Sequence, residues 1–343
     1  MSLTFAALGI DHRHIFGMAG NMQDVGAHFK SWWTAETPNG SPNTQEGFEK
    51  RFPDVPKSSK DAILADPEID LILISAIPRD RAALAIEAME AGKDVMVDKP
   101  GCTTLEQLEA IKECQARTGR IWSVDFSERF EVPSVTKATE LVQAGAIGKV
   151  VQTLGQGPHR LNRATRPDWF FEREAYGGIL VDIASHQIDQ FLFFTGSTDA
   201  DITLAQVGNF ANPDDKGLQD FGEIALKSDQ GHGYIRVDWY TPDALPNWGD
   251  GRLTILGTEG TIELRKYVDV GGPEGTDFLV LVNGERCEKI QCADAGLPYF
   301  SRLAHDITNR TETAMPQAHA FKVMELGIKA QMMAEGRLAG GTS

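Results

Sequence analysis

An aspartate and a histidine four residues apart, Asp182 and His186, interrupt an apolar segment that runs from Gly177-Gly178 through Ile179, Leu180, Ile183, Ile188, Phe191, Leu192 and Phe193. Residues four apart share a helix face, so the spacing predicts one largely buried helix with a carboxylate and an imidazole on the same side. Imidazole titrates near neutrality and is the usual general acid or base, and a neighbouring carboxylate holds its ring and favours its charged form. A core histidine bonded to Asp182 for structure alone fits the same spacing, so other residues must decide. Lys99 is the second candidate, set between Asp98 and Pro100 after the run Asp94-Val95-Met96-Val97. An ammonium at a strand end can donate to a substrate hydroxyl, stabilise an oxyanion or join in proton transfer. Most lysines are only surface groups; Asp98 either pairs with this one or caps its turn. Asp189, one turn after His186, is a candidate to bond substrate or a neighbouring loop.

Such groups need a scaffold, and the first third of the chain supplies an alternation of strands and helices. Residues 4–8 read as a strand, 14–22 as a helix and 27–34 as a second strand. The continuous apolar run 69–75 is typical of a central parallel strand; Pro78 then opens a helix carrying Ala82, Ala83, Ala85, Ile86, Ala88 and Met89 to Gly92. Residues 94–97 form another strand, Thr103 or Thr104 caps a helix that ends near Gly119, and 121–124 add a further strand. This is a doubly wound nucleotide-binding pattern. Ligands in such sheets sit beyond the carboxyl ends of the strands, so Gly9, the stretch Ser75, Ala76, Ile77, Pro78, and Lys99 should face one crevice.

From about Phe126 the character changes. Residues 132–144 suggest an exposed helix and 148–154 a strand; a polar loop with His159, Arg160, Arg163, Arg166, Trp169 and Tyr176 then leads to the glycine pair. Arginine forks suit carboxylates and aromatic faces suit sugar rings, so Arg163, Arg166 and Trp169 are candidate substrate contacts, weighed against a merely solvated loop. Six short strands follow at 202–210, 221–227, 233–240, 252–256, 261–265 and 278–282, the succession expected of an antiparallel sheet. Helices near 299–309 and 318–337 close the chain, 37–43 reads as a loop, and 340–343 as a frayed tail.

The 343 residues suit two domains, taken as 1–125 and 126–343, and a hydrophobic content of 41% is that of a globular protein. A net charge of −16 argues against nucleic acid or an anionic membrane as partner, since both need a basic face. With no basic leader and no apolar run near the roughly 20 residues of a spanning helix, a cytoplasmic protein is expected. Cys102, Cys114, Cys287 and Cys292 contain no Cys-x-x-Cys and read as reduced thiols. His12 and His14 stand just after Asp11, but few acids or cysteines stand nearby, and no metal is expected.

Taken together, Asp98-Lys99-Pro100 after a Rossmann strand, Arg129-Phe130, Gly145-Ala146-Ile147-Gly148-Lys149-Val150, the Gly-Gly-x-x-x-Asp-x-x-x-His-x-x-Asp block and Gly257-Thr258-Glu259-Gly260-Thr261 resemble the Gfo/Idh/MocA dehydrogenases over nearly the whole chain. The resemblance implies an α/β protein: an N-terminal Rossmann doubly wound parallel sheet, and a C-terminal α/β domain on a large, mainly antiparallel open sheet that often forms homodimers or homotetramers. It implies NAD(P)-dependent oxidation of a sugar, inositol or related polyol, with Lys99, Asp182 and His186 as the catalytic set, and leaves open which of Lys99 and His186 is the base. Asp98 stands where the family has glutamate, and the turn Pro78-Arg79-Asp80-Arg81 lacks the family's usual histidine. The cofactor turn departs further. Gly9-Ile10-Asp11-His12-Arg13-His14 keeps only the first glycine of the dinucleotide fingerprint and puts Asp11 where pyrophosphate would come closest. Arg13, His12 or His14 could offset that charge, and helix amides would remain. Thr34 and Glu36 stand where a ribose-binding acid is expected, and Glu36 tilts the expectation to NAD over NADP. Two alternatives stay open: an enzyme that uses NAD for transient oxidation during elimination or glycoside cleavage, and a ligand-sensing member without turnover.

Overall fold

The structure, a computed structural model, describes residues 3–36 and 41–338; the expected loop at 37–40 and the tail at 340–343 lie outside the described residues. Two compact units emerge. The first comprises 1–126, 166–177 and 298–324, the second 127–165, 178–297 and 325–343, so the division is not the single cut at 125/126 that the sequence suggests.

The first unit is built on five parallel strands, β1 (Thr4–Leu8), β2 (His28–Trp33), β3 (Leu71–Ile74), β4 (Asp94–Asp98) and β5 (Trp122–Asp125), in the order β2-β1-β3-β4-β5. The order reverses between β1 and β3, which places a switch point at their carboxyl ends. β3 and β4 are buried along their whole length, as strands covered on both faces must be. Pro78 opens a three-residue 3-10 turn before the helix Arg81–Glu90, and the helix Leu105–Thr118 starts on the Thr104 hydroxyl, which accepts from Gln107 N, and stops at Gly119. The helix Pro42–Arg51 takes in the last two residues of the expected loop at 37–43 and packs Phe48 between Phe29 and Trp32. Residues from the far end of the chain complete this unit: Tyr299 Oη meets Ser123 Oγ at 2.6 Å, Arg310 grips Asp94, and the edge amide of Trp122 donates to Gln317 Oε1 at 2.9 Å.

The second unit carries an eight-stranded sheet. Its strands are β6 (Val150–Pro158), β7 (Asp201–Gly208), β8 (Phe221–Lys227), β9 (His232–Asp238), β10 (Arg252–Gly257), β11 (Gly260–Arg265), β12 (Phe278–Asn283) and β13 (Cys287–Gln291), in the order β13-β12-β11-β10-β6-β9-β8-β7. Among the described residues of this sheet, only β6 and β9 pair in parallel. The helix Pro133–Gln143 packs Val135, Ala138 and Leu141 on Leu253, Ile255, Ile262, Leu264, Leu279 and Leu281. The helix Ser185–Thr195 comes close to β6 and β9 because those strands present glycines: a Cβ on Gly155 would lie 2.7 Å from Gln187 Cγ, and one on Gly233 would lie 2.8 Å from Phe191. The opposite face leaves Leu154, Tyr234, Leu256 and Val282 exposed. Among the described residues, no helix is long and apolar enough to cross a membrane.

Candidate active site

In the first unit, β4 delivers Asp98-Lys99-Pro100 to the carboxyl edge of the sheet, and Lys99 is buried, not a surface lysine. The turn is fixed through its backbone by Arg81, which is itself fully buried. The Arg81 Nη1 donates to the carbonyls of Asp98 at 2.8 Å, Lys99 at 2.6 Å and Pro100 at 3.1 Å; its Nε donates to Ala76 O at 2.8 Å. A planar fork with five donors can gather such a set where an ammonium cannot. The peptide bond between Lys99 and Pro100 is cis.

Asp98 does not pair with Lys99 in the simple way the sequence allows; its carboxylate is a hub. Arg81 Nη2 donates to Oδ2 at 2.8 Å, His12 Nδ1 to Oδ2 at 2.8 Å and His14 Nδ1 to Oδ1 at 2.8 Å; Ser75 Oγ lies 3.0 Å from Oδ2. Burial alone would raise this carboxyl, but Arg81 and the two imidazoles outweigh it and hold it well below the usual range. Burial pushes His12 down to about 4 against the pull of Asp98, so near neutrality its ring is uncharged, with the proton on Nδ1. His12, His14 and Asp98 bring three donor atoms within 4.8 Å of one another, a spacing a cation could use. Here Arg81 supplies the positive charge such an ion would bring.

The rest of the expected cofactor turn lies around this hub. Gly9 has φ +76°, and a Cβ there would sit 2.5 Å from Ala76 Cβ, so β1 can turn across β3 only with glycine. Ser75 N donates to Gly9 O and His12 N to Ser75 O, which ties the turn to the end of β3, and Pro78 is buried. Ile10 N reaches the buried Thr34 hydroxyl at 3.4 Å, Arg13 is exposed, and Glu36 stands exposed beyond β2 with Lys57 Nζ at 3.8 Å. Burial raises the Asp11 carboxyl; the amides of Ser41 and Ile77 that bond to it oppose this, so its charge is tied down across the crevice. The helix Ile15–Asp24 that follows has no side-chain cap and no acid in its first turn. A glycine turn, uncapped helix amides and an exposed acid after β2 fit a dinucleotide.

In the second unit the single helix expected to carry both Asp182 and His186 is broken. One short helix, Ile179–Asp182, ends at the aspartate, and another, Ser185–Thr195, begins just before the histidine. Between them Ala184 N bonds back to Ile179 O at 3.4 Å and His186 N to Ile183 O at 3.1 Å, a wide turn followed by a tight one. Both residues are buried. The first helix is capped from far along the chain, as Gln331 Oε1 accepts from Leu180 N at 3.0 Å.

Asp189 is fully buried, and Arg129 donates to both its oxygens, Nε and Nη2 each at 2.6 Å, so of the two expected partners, substrate or a neighbouring segment, the structure shows a neighbouring segment. Arg163 likewise forks onto Asp215, Arg166 lies 4.4 Å over the Phe170 ring, and Trp169 is buried with Nε1 donating to Ser41 Oγ. The three loop residues are thus held by protein partners. Residues the sequence did not single out do the anchoring: Arg81 under Lys99, and Glu128 with Lys266 behind the helix Ser185–Thr195. Adjacent opposite charges Glu128-Arg129 between Phe126 and Phe130 were the available signal, since charges in apolar surroundings have to be paired.

A parallel sheet with this switch point, a glycine turn and a buried lysine at its edge defines a nucleotide-dependent oxidoreductase; residues 25–126 match the oxidoreductase family model with an NAD-binding Rossmann fold, and residues 135–263 match the GFO/IDH/MocA C-terminal domain. The chain belongs to the Gfo/Idh/MocA family. It is 45% identical to a candidate oxidoreductase of solved structure from Erwinia carotovora atroseptica, covering 97% of this chain and 99% of that one with a TM-score of 0.92. It is 28% identical over 280 residues to scyllo-inositol 2-dehydrogenase (NAD(+)) of Bacillus subtilis, 78% of this chain and 76% of that protein. With levoglucosan dehydrogenase of Pseudarthrobacter phenanthrenivorans it shares 30% over 246 residues, 68% of this chain and 60% of that protein.

Proposed function

We propose that this protein oxidises a CH–OH group of a sugar, inositol or related polyol or sugar acid, with NAD as the cofactor of choice and NADP as the second. The reading is carried by Lys99, buried on a turn whose three carbonyls converge on Arg81 at the edge of an NAD-binding sheet. The unit built on the parallel sheet seats the cofactor, and the unit built on the eight-stranded sheet supplies the substrate side and the subunit contact. Gly9, Ile10, Asp11, His12, Arg13 and His14 would line the dinucleotide, with Ser75, Ala76, Pro78 and Lys99 beside it and Thr34 and Glu36 toward a ribose; the bound nicotinamide supplies a hydride acceptor. His186 takes the hydroxyl proton, Lys99 donates to the same oxygen, and Asp182 orients the substrate. Arg163, Arg166 and Trp169 reach substrate only if their present partners release them. A second copy of the chain covers the open sheet face at Leu154, Tyr234, Leu256 and Val282. Four free cysteines, three of them buried, suit a cytoplasmic protein.

The test is a panel of inositols, anhydrosugars, sugars and sugar acids assayed with NAD and NADP by reduced-nicotinamide absorbance, together with NADH titration of tryptophan fluorescence. Turnover of one panel member is expected, with Lys99→Ala and His186→Ala each lowering kcat by about 100-fold or more while NADH affinity stays within about twofold. No NADH or NADPH binding refutes the redox reading, and comparable loss of cofactor binding in either variant refutes the assigned roles.

A further inference from the structure

The turn of helix directly below His186 is held by two buried ion pairs. Arg129 forks onto Asp189, and its guanidinium lies between the rings of Phe130 at 4.3 Å and Phe193 at 4.4 Å. Phe193 follows Asp189 by four residues on the helix Ser185–Thr195, and Asp189 follows His186 by three, so all three lie along one flank. Gln190, four after His186, accepts from Lys266 Nζ at 3.1 Å. Lys266 also pairs with Glu128 Oε2 at 2.6 Å, and the same oxygen accepts from Gln187 Nε2 at 2.9 Å. Glu128 and Arg129 are neighbours on the short helix Ser127–Phe130. Two buried ion pairs rooted in one turn thus fix the rotation and height of the helix at the three positions 187, 189 and 190.

The network is unfinished as a stabilising device. Glu128 Oε1, Gln187 Oε1 and Gln190 Nε2 are buried without a protein partner. Buried ion pairs with incomplete hydrogen bonding are commonly no more stabilising than well-packed apolar side chains of the same volume. What such pairs supply instead is a single geometry, since fork and carboxylate meet in one orientation and rigid stacking on two rings removes the rest of the freedom.

We propose that Arg129 and Asp189, backed by Glu128 and Lys266, are positioning residues that set the imidazole of His186 for proton transfer. The proposal rests on the reading above, in which His186 receives the hydroxyl proton. Asp189 touches neither substrate nor cofactor in this scheme; it acts through the helix it rides on. A displacement of about 1 Å at a reacting group can cost on the order of 100-fold in rate, so a loosened helix should be felt in kcat first.

The experiment compares wild type, Arg129→Lys, and the double variant Arg129→Met with Asp189→Leu, which replaces both charges by apolar side chains. Melting temperature, kcat, substrate KM and NADH affinity are measured for each with the panel member that wild type oxidises; if wild type oxidises none, it is the functional reading that has failed. The double variant is expected to melt within a few degrees of wild type, with kcat lowered at least about tenfold and substrate KM and NADH affinity within about twofold. Arg129→Lys, which keeps the charge and loses the fork, is expected to lower kcat by a similar factor. Wild-type kcat in the double variant overturns the proposal. So does a parallel fall of kcat, KM and NADH affinity, and so does a double variant that cannot fold, since the pair would then be structural.

Discussion

Removing Arg81 tests whether one guanidinium both locks the Lys99 turn and keeps Asp98 ionised. In Arg81→Met the carbonyls of Ala76, Asp98, Lys99 and Pro100 lose their donor, and Asp98 loses the cation 2.8 Å away. Breaking one side of a buried pair costs about 3–5 kcal/mol, which corresponds to a fall of roughly 6–20 °C in melting temperature. A second effect follows from the hub. His12 and His14 remain in contact with Asp98 through Nδ1, so neutralising the carboxylate passes to them and the His12 ring should take up a proton. Its pKa, lowered to about 4 in the wild type chiefly by burial, is expected to move up once the cation is gone, read from the imidazole carbon-bound proton resonances across a pH titration. Arg81→Lys separates the two effects: the charge stays, so His12 should titrate as in wild type, while the carbonyls lose the fork and about half of the stability loss remains. An Arg81→Met protein that melts within 2 °C of wild type, or whose His12 titration is unmoved, would refute the reasoning.

Two further outcomes follow from the same turn. The folded pKa of His12 lies below its ordinary value of 6.5, so the stability it contributes is present above pH 6.5 and is lost as pH falls toward 4, because the unfolded chain takes the proton first; the loss amounts to roughly 3 kcal/mol. Chemical denaturation at several pH values should show a shallower acid decline for His12→Asn than for wild type, and parallel curves would count against the assignment. Gly9→Ala places a methyl 2.5 Å from Ala76 Cβ at a φ of +76°, which should lower the melting temperature and weaken NADH binding together, measured by thermal melts and calorimetry; an unchanged NADH affinity would mean that the turn is not part of the cofactor seat.

Much of the scaffold was legible because its signals are local. The apolar run of β3, the Thr104 start and Gly119 stop of the helix Leu105–Thr118, and the alternation in β8 each announce an element without tertiary help. The helix Pro42–Arg51 gave no such signal, as Phe48 is its only large apolar residue and the rest is polar. Edge strand β13 escaped notice because its residues are mostly exposed and carry no alternation. The types of the site residues were legible and their arrangement was not. Neither Ile183 nor Ala184 is a helix breaker, so the kink between Asp182 and His186 is set by packing and by the Gln331 cap. Likewise Asp98 was visible as an acid beside Lys99, but its meeting with His12 and His14 joins positions more than 80 residues apart, and no spacing rule reaches that far.

The tie between Trp122 and Gln317 also bears on how the molecule is made. At roughly 5–20 residues per second, the ribosome needs on the order of 10–40 s to deliver the 195 positions that separate them. Throughout that interval β5 is a bare sheet edge with an outward amide and no Gln317 to receive it, and Ser123 and Asp94 likewise await Tyr299 and Arg310. Nascent chains expose their stickiest surface at such edges. The parallel sheet is therefore synthesised well before the segments that finish it, and its β5 edge stays open for that interval.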